Sequence, residues 1–491
     1  MIQLSGTSRR LCHGLTRRDF LHIGGLGALG LNVGTLSGSP TAPTAKAKAC
    51  ILLFLYGSPP QHETFDPKPE APREVQGELS SIPTSVSGVR FCEGLPKIAK
   101  IANELTVVRS MTHPYPVHGV AYAISGLPTY DPSLEAKARD SRHWPFIGSV
   151  VDYLEDKSGS SPSSSVPRNI ALPWMLNSKT DLLVNAGPFA AFLGQNHDPV
   201  WTDYTGKGVR TVPRYTDGQT KDFVDPFGGC TTDGRFQLSD AAVPSADLSP
   251  ERLDHRLSLL GQFDKARRQN DQSMSRSPFD RQRAQAHALL TSDRIRSALD
   301  VTRESLAVRE TYGMTLFGQG CLAARRLVEA GSKFITVFWD GYGQFGNCAW
   351  DTHNNHFPRL KEYLLPGFDL AYSGLIDDLK SRGLLDETLV LCVSEHGRAP
   401  QIDSKPKGAG RHHWSRVYSA VFAGGGFARG KVVGASDKIG GDVKDCPVSP
   451  KDVLATTFHQ LGYDPHSTVP DTQGRPLPIA GDGQVRAELL A

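Results

Sequence analysis

The stretch "LVLCVSEHGRAP", Leu389 to Pro400, ends an apolar run in a carboxylate, an imidazole and a guanidinium: Glu395, His396 and Arg398. Two other stretches carry similar chemistry, Asp351-Thr352-His353 and "GRHHW", which holds Arg411, His412 and His413. Carboxylate oxygens with neutral imidazole nitrogens suit zinc, manganese or iron, whereas calcium and magnesium prefer oxygen throughout. A two-metal hydrolytic site needs such a mixture, because its ions clamp attacking and leaving oxygens and lower the pKa of bound water. Spacing alone leaves a plainer reading open: Asp351 and His353 could cap the helix that follows, and adjacent loop histidines are often solvent-exposed. Arg398 and Arg411 either hold an anionic oxygen, since a guanidinium fork matches phosphate or sulfate geometry, or pair with nearby acids.

The elements that must position these groups are legible as apolar runs. Leu389–Val393 reads as a strand buried on both faces, so Glu395 and His396 emerge at its carboxyl end, the edge where open α/β sheets bind ligands. A second strand, Cys50–Leu55, leads into a turn with Gln61, His62, Glu63 and Asp66; a third, Leu105–Val108, precedes His113 and His118. "KFITVFW" is a fourth, and the loop dense in metal-type side chains that holds Asp351 and His353 follows it. Between that loop and Leu389, the residues Leu364, Phe368, Ala371, Leu375 and Leu379 form one helical stripe that stops at Gly383. Strand, helix, strand with polar groups at strand exits predicts a mainly parallel α/β sheet. Residues 155–250, rich in Ser, Pro, Gly and Asp, read as surface loops and short elements inserted into the main domain, and 249–331 as helical.

Of 491 residues, 39% are hydrophobic and 21% charged, which suits an ordinary globular chain with a large core. The formal charge is +3, but the first 49 residues hold six Lys or Arg against one acid, and without them the net is −2. That balance argues against nucleic acid or an anionic membrane surface as the main partner. The eight cysteines show no CxxC, and Cys50, Cys321 and Cys392 fall in apolar runs, so most read as buried hydrophobes rather than a disulfide scaffold.

The N-terminal "TRRDFLHIGGLGALGLNVG" resembles a twin-arginine export signal: paired arginines, a short glycine-rich apolar stretch and a small-residue exit near Ala47 or Ala49. Residues 1–49 are therefore expected to be a signal that engages the twin-arginine translocon, delivering the protein to the periplasm or outside the cell. The GxGxxG within it, Gly25 to Gly30, follows no strand and is not read as a dinucleotide fingerprint.

The run from "YGMTLFG" through "WDTHNNHF", "SEHGRAP" and "GRHHW" to "AGGGFARG", with "GSPPQHETFDPKP" and "GPFAAFLGQNHDP", resembles the domain of unknown function 1501 family, and the likeness covers nearly all of residues 50–480. Members are bacterial and often carry twin-arginine signals. That family is itself similar to the alkaline phosphatase and sulfatase superfamily. The resemblance implies a doubly wound, mainly parallel sheet of alkaline phosphatase/sulfatase type with helical and loop insertions, one domain over 50–482 with an inserted region at about 155–310. It also implies divalent metal and hydrolysis of a phosphate or sulfate ester, either small or carried on a sulfated or phosphorylated polysaccharide.

Carried over by position, Asp351, His353 and His413 resemble one metal half-site, and Glu395 with His396 resembles the other; zinc or manganese is favoured over calcium or magnesium. The chain departs from the pattern in several places. His396 stands where the family usually has Phe, His412 where it usually has Asp, and Glu63 replaces a usual Asp. No Cys-x-Pro-x-Arg occurs, which argues against a formylglycine sulfatase, and the usual nucleophile region offers Pro116, Val117 and His118. Hydroxide at the ion attacks directly, His118 serves as ligand or base, or the site is not hydrolytic. The "AGGGF" at 423–427 reads as a turn after a strand, and His459 as a structural histidine on a helix. Two functions follow as expectations: an exported metal-dependent ester hydrolase, or a binding or assembly protein that keeps the fold without the chemistry.

Overall fold

The structure is a computed structural model. It describes residues 44–135, 137–158, 166–180, 186–216, 219–239, 292–341, 349–404 and 408–491. The export-signal reading up to residue 43, the part of the helical reading from 249 to 291, and part of the loop after "KFITVFW" lie outside them.

Nine strands form the central sheet: β1 (Ala49–Leu55), β2 (Leu105–Met111), β3 (Asn169–Leu172), β4 (Val200–Thr205), β5 (Arg235–Leu238), β6 (Phe334–Trp339), β7 (Thr388–Val393), β8 (Tyr418–Ala423) and β9 (Lys431–Val433). Their spatial order is β9-β2-β8-β7-β1-β6-β3-β4-β5. Only β8 and β5 run against the other seven. All seven residues of β1 are buried. Ile51, Leu53 and Leu55 enter one core and Cys50, Leu52 and Phe54 the other, because successive side chains of a strand point to opposite faces. The sheet is therefore covered on both sides, as the expected doubly wound α/β fold requires.

On one face lie α2 (Leu316–Ala330) and α3 (Leu365–Ser381); on the other lie α1 (Ile147–Lys157) and α4 (Pro450–Gln460). The Thr315 hydroxyl caps α2 by accepting from the Gly318 N–H at 3.1 Å, and Gly331 ends it at φ 97°. Leu364, Phe368, Ala371, Leu375 and Leu379 are each 0% exposed, as their spacing predicts. α3 continues a helical run that starts at His356 and passes through a π-helical turn at Leu360–Leu364. Pro366 has no N–H for the ordinary i−4 bond, and the wider turn precedes it.

One expectation needs correction. The Ser/Pro/Gly-rich stretch read as inserted loops supplies β3, β4 and β5, a full flank of the main sheet. β3 and β5 have four residues each, too few to establish a period against loop-like surroundings. Six cysteines among the described residues are free thiols, five of them buried.

Candidate metal centre

The site lies at the carboxyl edge of the sheet. Beyond β1 and Tyr56 the chain turns through Gly57 and Ser58, at φ 93° and 69°. This left-handed pair turns the chain under the loop that carries Asp351, and a Cβ on Gly57 would stand 2.2 Å from the Asp351 nitrogen. The Gly57 N–H donates to Glu395 Oε1 at 2.8 Å, and the His396 N–H donates to Ser58 Oγ at 3.2 Å, so the exit of β1 fixes the exit of β7. A short antiparallel pair, Gly397–Arg398 with His413–Trp414, places Arg398 opposite His413.

Within this frame Asp351 Oδ1, His353 Nε2 and His413 Nε2 converge. The two nitrogens are 2.9 Å apart, and they lie 3.1 and 3.2 Å from the oxygen. Two ligand atoms about 2.0–2.1 Å from one ion are separated by about 3.3 Å at the tetrahedral angle and about 2.9 Å at a right angle. The observed spacings fall in that interval. A second group, His118, His396 and His413, shares His413 with the first, and its ligand atoms lie within 4.8 Å of one another.

Tautomers agree with a ligand role. His396 Nδ1 donates to the Gly397 carbonyl at 2.8 Å, which leaves Nε2 with its lone pair; that atom is buried and has no hydrogen-bond partner in the protein. Burial, with Arg398, His413 and His118 nearby, holds the pKa of His396 well below the usual imidazole range. His413 is lowered as well, first by burial. Burial pushes the Asp351 carboxyl up, yet Arg398 and three imidazoles outweigh it and keep the group well below the usual carboxylate range. Glu395 Oε2 is a second buried atom with no hydrogen-bond partner. Mixed nitrogen and oxygen donors, ligand-edge spacings and the unpartnered, buried His396 Nε2 all fit a divalent metal ion.

His118 sits between two carboxylates, its Nδ1 2.8 Å from Glu395 Oε1 and its Nε2 3.4 Å from Asp351 Oδ2. Burial opposes its charge, but the two carboxylates prevail and raise its pKa to about 9. Behind Glu395, the neutral His113 donates from Nε2 to the Glu395 carbonyl at 2.6 Å.

Both arginines are engaged by the protein's own carboxylates and carbonyls. Arg398, 0% exposed, donates to the carbonyls of Ser58 and Arg411 at 3.1 Å and to Asp351 Oδ1 at 2.5 Å, and it also bonds the Gly57 carbonyl. Arg411, also 0% exposed, gives Nε and Nη2 to Glu63, with 2.6 Å from Nη2 to Oε1. Its remaining donors go to the carbonyls of Ala399, Pro400 and Val75. The alternative in which both arginines pair with acids is the one the structure adopts: Arg398 braces a ligand, and Arg411 clamps the site's loops. Asp351 and His353 do not cap the following helix, whose N-cap is Asn355.

The structure brings together Asp351, His353, His396, His413 and His118. Glu395 braces His118 instead of joining either group of three. His412 lies outside the cluster, bonded to Asp403 at 2.9 Å. Sequence reasoning missed Gly57 and Ser58 as supports; their signal was a Gly-Ser pair one residue beyond a fully apolar strand. It also missed the tie in which the Gln61 side chain bonds the Arg398 N–H and carbonyl at 3.0 and 2.8 Å.

Among solved structures, similarity is found to the PsFucS1 sulfatase from Pseudoalteromonas sp., at 12% identity over 99% of this chain and 77% of that one, with a TM-score of 0.39. The lipoteichoic acid synthase LtaP from Listeria monocytogenes matches at 9% identity over 87% and 75%, TM-score 0.32. A TAB5 alkaline phosphatase mutant with magnesium matches at 13% over 78% and 91%, TM-score 0.30. The search of curated proteins returned no match. The family described as "Protein of unknown function (DUF1501)" matches residues 47–490, and the chain belongs to that family.

Proposed function

We propose that this protein is an exported, metal-dependent hydrolase of an anionic ester, a phosphate or sulfate borne on a small molecule or on an extracellular polysaccharide. The observation that carries the reading is the convergence of Asp351 Oδ1, His353 Nε2 and His413 Nε2 at 2.9–3.2 Å on the sheet's carboxyl edge. Those three residues with His396 would hold the ion. When bound, a divalent ion supplies Lewis-acid polarisation of an ester oxygen and acidification of water. The chain's own part is positioning and proton transfer. Arg398 fixes the Asp351 carboxylate, and Gly397 fixes the His396 ring. Glu395 holds His118 by Nδ1, which leaves Nε2–H in a long 3.4 Å contact that a substrate oxygen can replace. His118 then gives that proton to the leaving oxygen as general acid. Export through the twin-arginine translocon is supported by the paired arginines at 17 and 18 and the apolar stretch after them.

A second reading, a metal-holding protein without turnover, is favoured by the hydroxyls. Ser58 and Thr352 are each 0% exposed, with Ser58 Oγ engaged by His396 N–H and Thr352 Oγ1 by His356, so neither is presented as a nucleophile. The test is metal analysis of the purified mature protein, with turnover of aryl phosphate and aryl sulfate in added zinc, manganese, magnesium or calcium. Turnover that disappears in His413→Ala supports the hydrolase. Bound metal with no turnover of any ester selects the second reading, and no metal sinks both.

A further inference from the structure

A cleft of about 730 Å³ opens beside the cluster, between the chain that leaves β2 at Thr112–Pro114 and a wall formed by Arg416 and the segment 442–447. It is shallow and open, with Arg416, Lys444, Asp445 and Pro447 exposed, so an occupant would keep one face in water. His113, 7% exposed, lies at the junction of cleft and cluster. It lines the cleft, while its Nε2 donates to the carbonyl of Glu395, the residue that also holds His118. A ligand seated here would thus be linked to His118 of the metal-type cluster through His113 and Glu395.

The lining identifies the ligand's chemistry by its charge balance. Arg416 is neutralised by a two-pronged pair with Asp442, at 2.6 and 2.9 Å, and Lys444 is followed directly by Asp445. His113 adds no charge and no free donor, since its Nε2–H goes to the Glu395 carbonyl and its Nδ1 accepts from the Tyr115 N–H at 3.2 Å. Apolar faces from Pro114, Val443 and Pro447 alternate with these groups. A polyanion would meet as many carboxylates as cations, and a purely apolar ligand would strand the charged groups against it. An uncharged ring with hydroxyls on its edge and C–H groups on its faces satisfies both kinds of lining.

We infer that the cleft is a subsite for an uncharged sugar unit, next to the ester-bearing unit held at the metal-type cluster. This extends the hydrolase reading by naming the substrate as a sparsely esterified, otherwise neutral glycan, and it rests on that reading only for the neighbouring ester.

The test measures binding rather than turnover. Neutral hexasaccharides of galactose, glucose and mannose are titrated calorimetrically into the full mature chain, into Thr112→Trp, which fills the cleft, into the Lys444→Ala/Asp445→Ala double variant, and into His413→Ala. At least one hexasaccharide binds the unaltered chain, its affinity falls tenfold or more in both cleft variants, and His413→Ala leaves it within about twofold. The last result separates this subsite from the metal chemistry, because sugar binding then survives where turnover is lost. Circular dichroism checks that each variant is folded. The inference is overturned if no neutral hexasaccharide binds, or if binding ignores the cleft variants. It is equally overturned if only sulfated chains bind and do so in a salt-dependent way, or if an extended peptide pairing along Val443–Asp445 is what the cleft variants abolish.

Discussion

His118 is the residue whose charge the rest of the cluster decides. With the carboxylates of Asp351 and Glu395 on its two nitrogens, its pKa stands near 9 against 6.5 for a free imidazole. A raised folded-state pKa means that the charged pairings stabilise the fold fully below about pH 6.5 and lose that contribution as pH climbs through about 9. The integrated effect is at most about 3 kcal/mol. Metal-free protein should therefore show a falling urea midpoint between pH 6.5 and 9, and His118→Gln should flatten the decline. If the slope is unchanged in that variant, His118 is not the titrating group. Arg398 supports a second prediction at the same scale. Lysine keeps its charge but not the fork that grips Asp351 and the carbonyls of Gly57, Ser58, Trp350 and Arg411, so Arg398→Lys should weaken metal binding by about 10–100-fold, the range for lost outer-shell partners. Competition with a chelating dye measures this directly. The roles of the two arginines were open in the sequence, because a guanidinium suits an anion and a buried carboxylate equally well. Only the position of the surrounding carbonyls decides between them.

At the scale of elements, the buried Glu63–Arg411 pair joins the turn after β1 to the return strand that delivers His413. Burial would raise the Glu63 carboxyl, but Arg411 holds it well below the usual range, and each side chain is no more than 1% exposed. Removing one partner of such a pair leaves an uncompensated buried charge, so Glu63→Ala should cost about 3–5 kcal/mol. The denaturant midpoint of Glu63→Ala should fall well below that of Glu63→Ala/Arg411→Met, which removes both charges. An equal loss in the two would mean that the pairing is not the source. Gly57→Ala should also destabilise, because a methyl group would meet the Asp351 backbone and the left-handed turn would be strained. The same scale explains what could be read in advance. The strands at the centre of the sheet are apolar runs of six or seven residues, and a helical stripe lies between β6 and β7, so their existence and mainly parallel arrangement followed from pattern, while their spatial order did not. β3, β4 and β5 were hidden because two are four residues long and all sit among Ser, Pro and Gly. Their membership in the sheet is set by pairing with β6 and with one another, which is a tertiary fact.

For the molecule as a whole, the donors of the cluster come from points spread over nearly three hundred residues, from His118 to His413, and meet only in the folded chain. An unfolded chain cannot assemble that constellation, so ion binding must be coupled to folding. At a free ion concentration of about 100 Kd, the expected stabilisation is about 2.7 kcal/mol. Spread over the unfolding entropy of a unit of roughly 450 residues, this raises the melting temperature by only about 3 °C. The shift should appear with zinc or manganese, reverse with chelator, and vanish in His413→Ala, which belongs to both groups of three. His353→Ala, which belongs to one, should retain part of it. Differential scanning calorimetry across these proteins separates one shared centre from unrelated surface binding, since ions held elsewhere would shift wild type and His413→Ala alike. Calcium, which favours oxygen donors, should stabilise less than zinc at equal concentration because the convergent atoms are mainly imidazole nitrogens. A larger effect from calcium would place the tight cation site outside this cluster and remove the basis for chemistry at the carboxyl edge of β1 and β7.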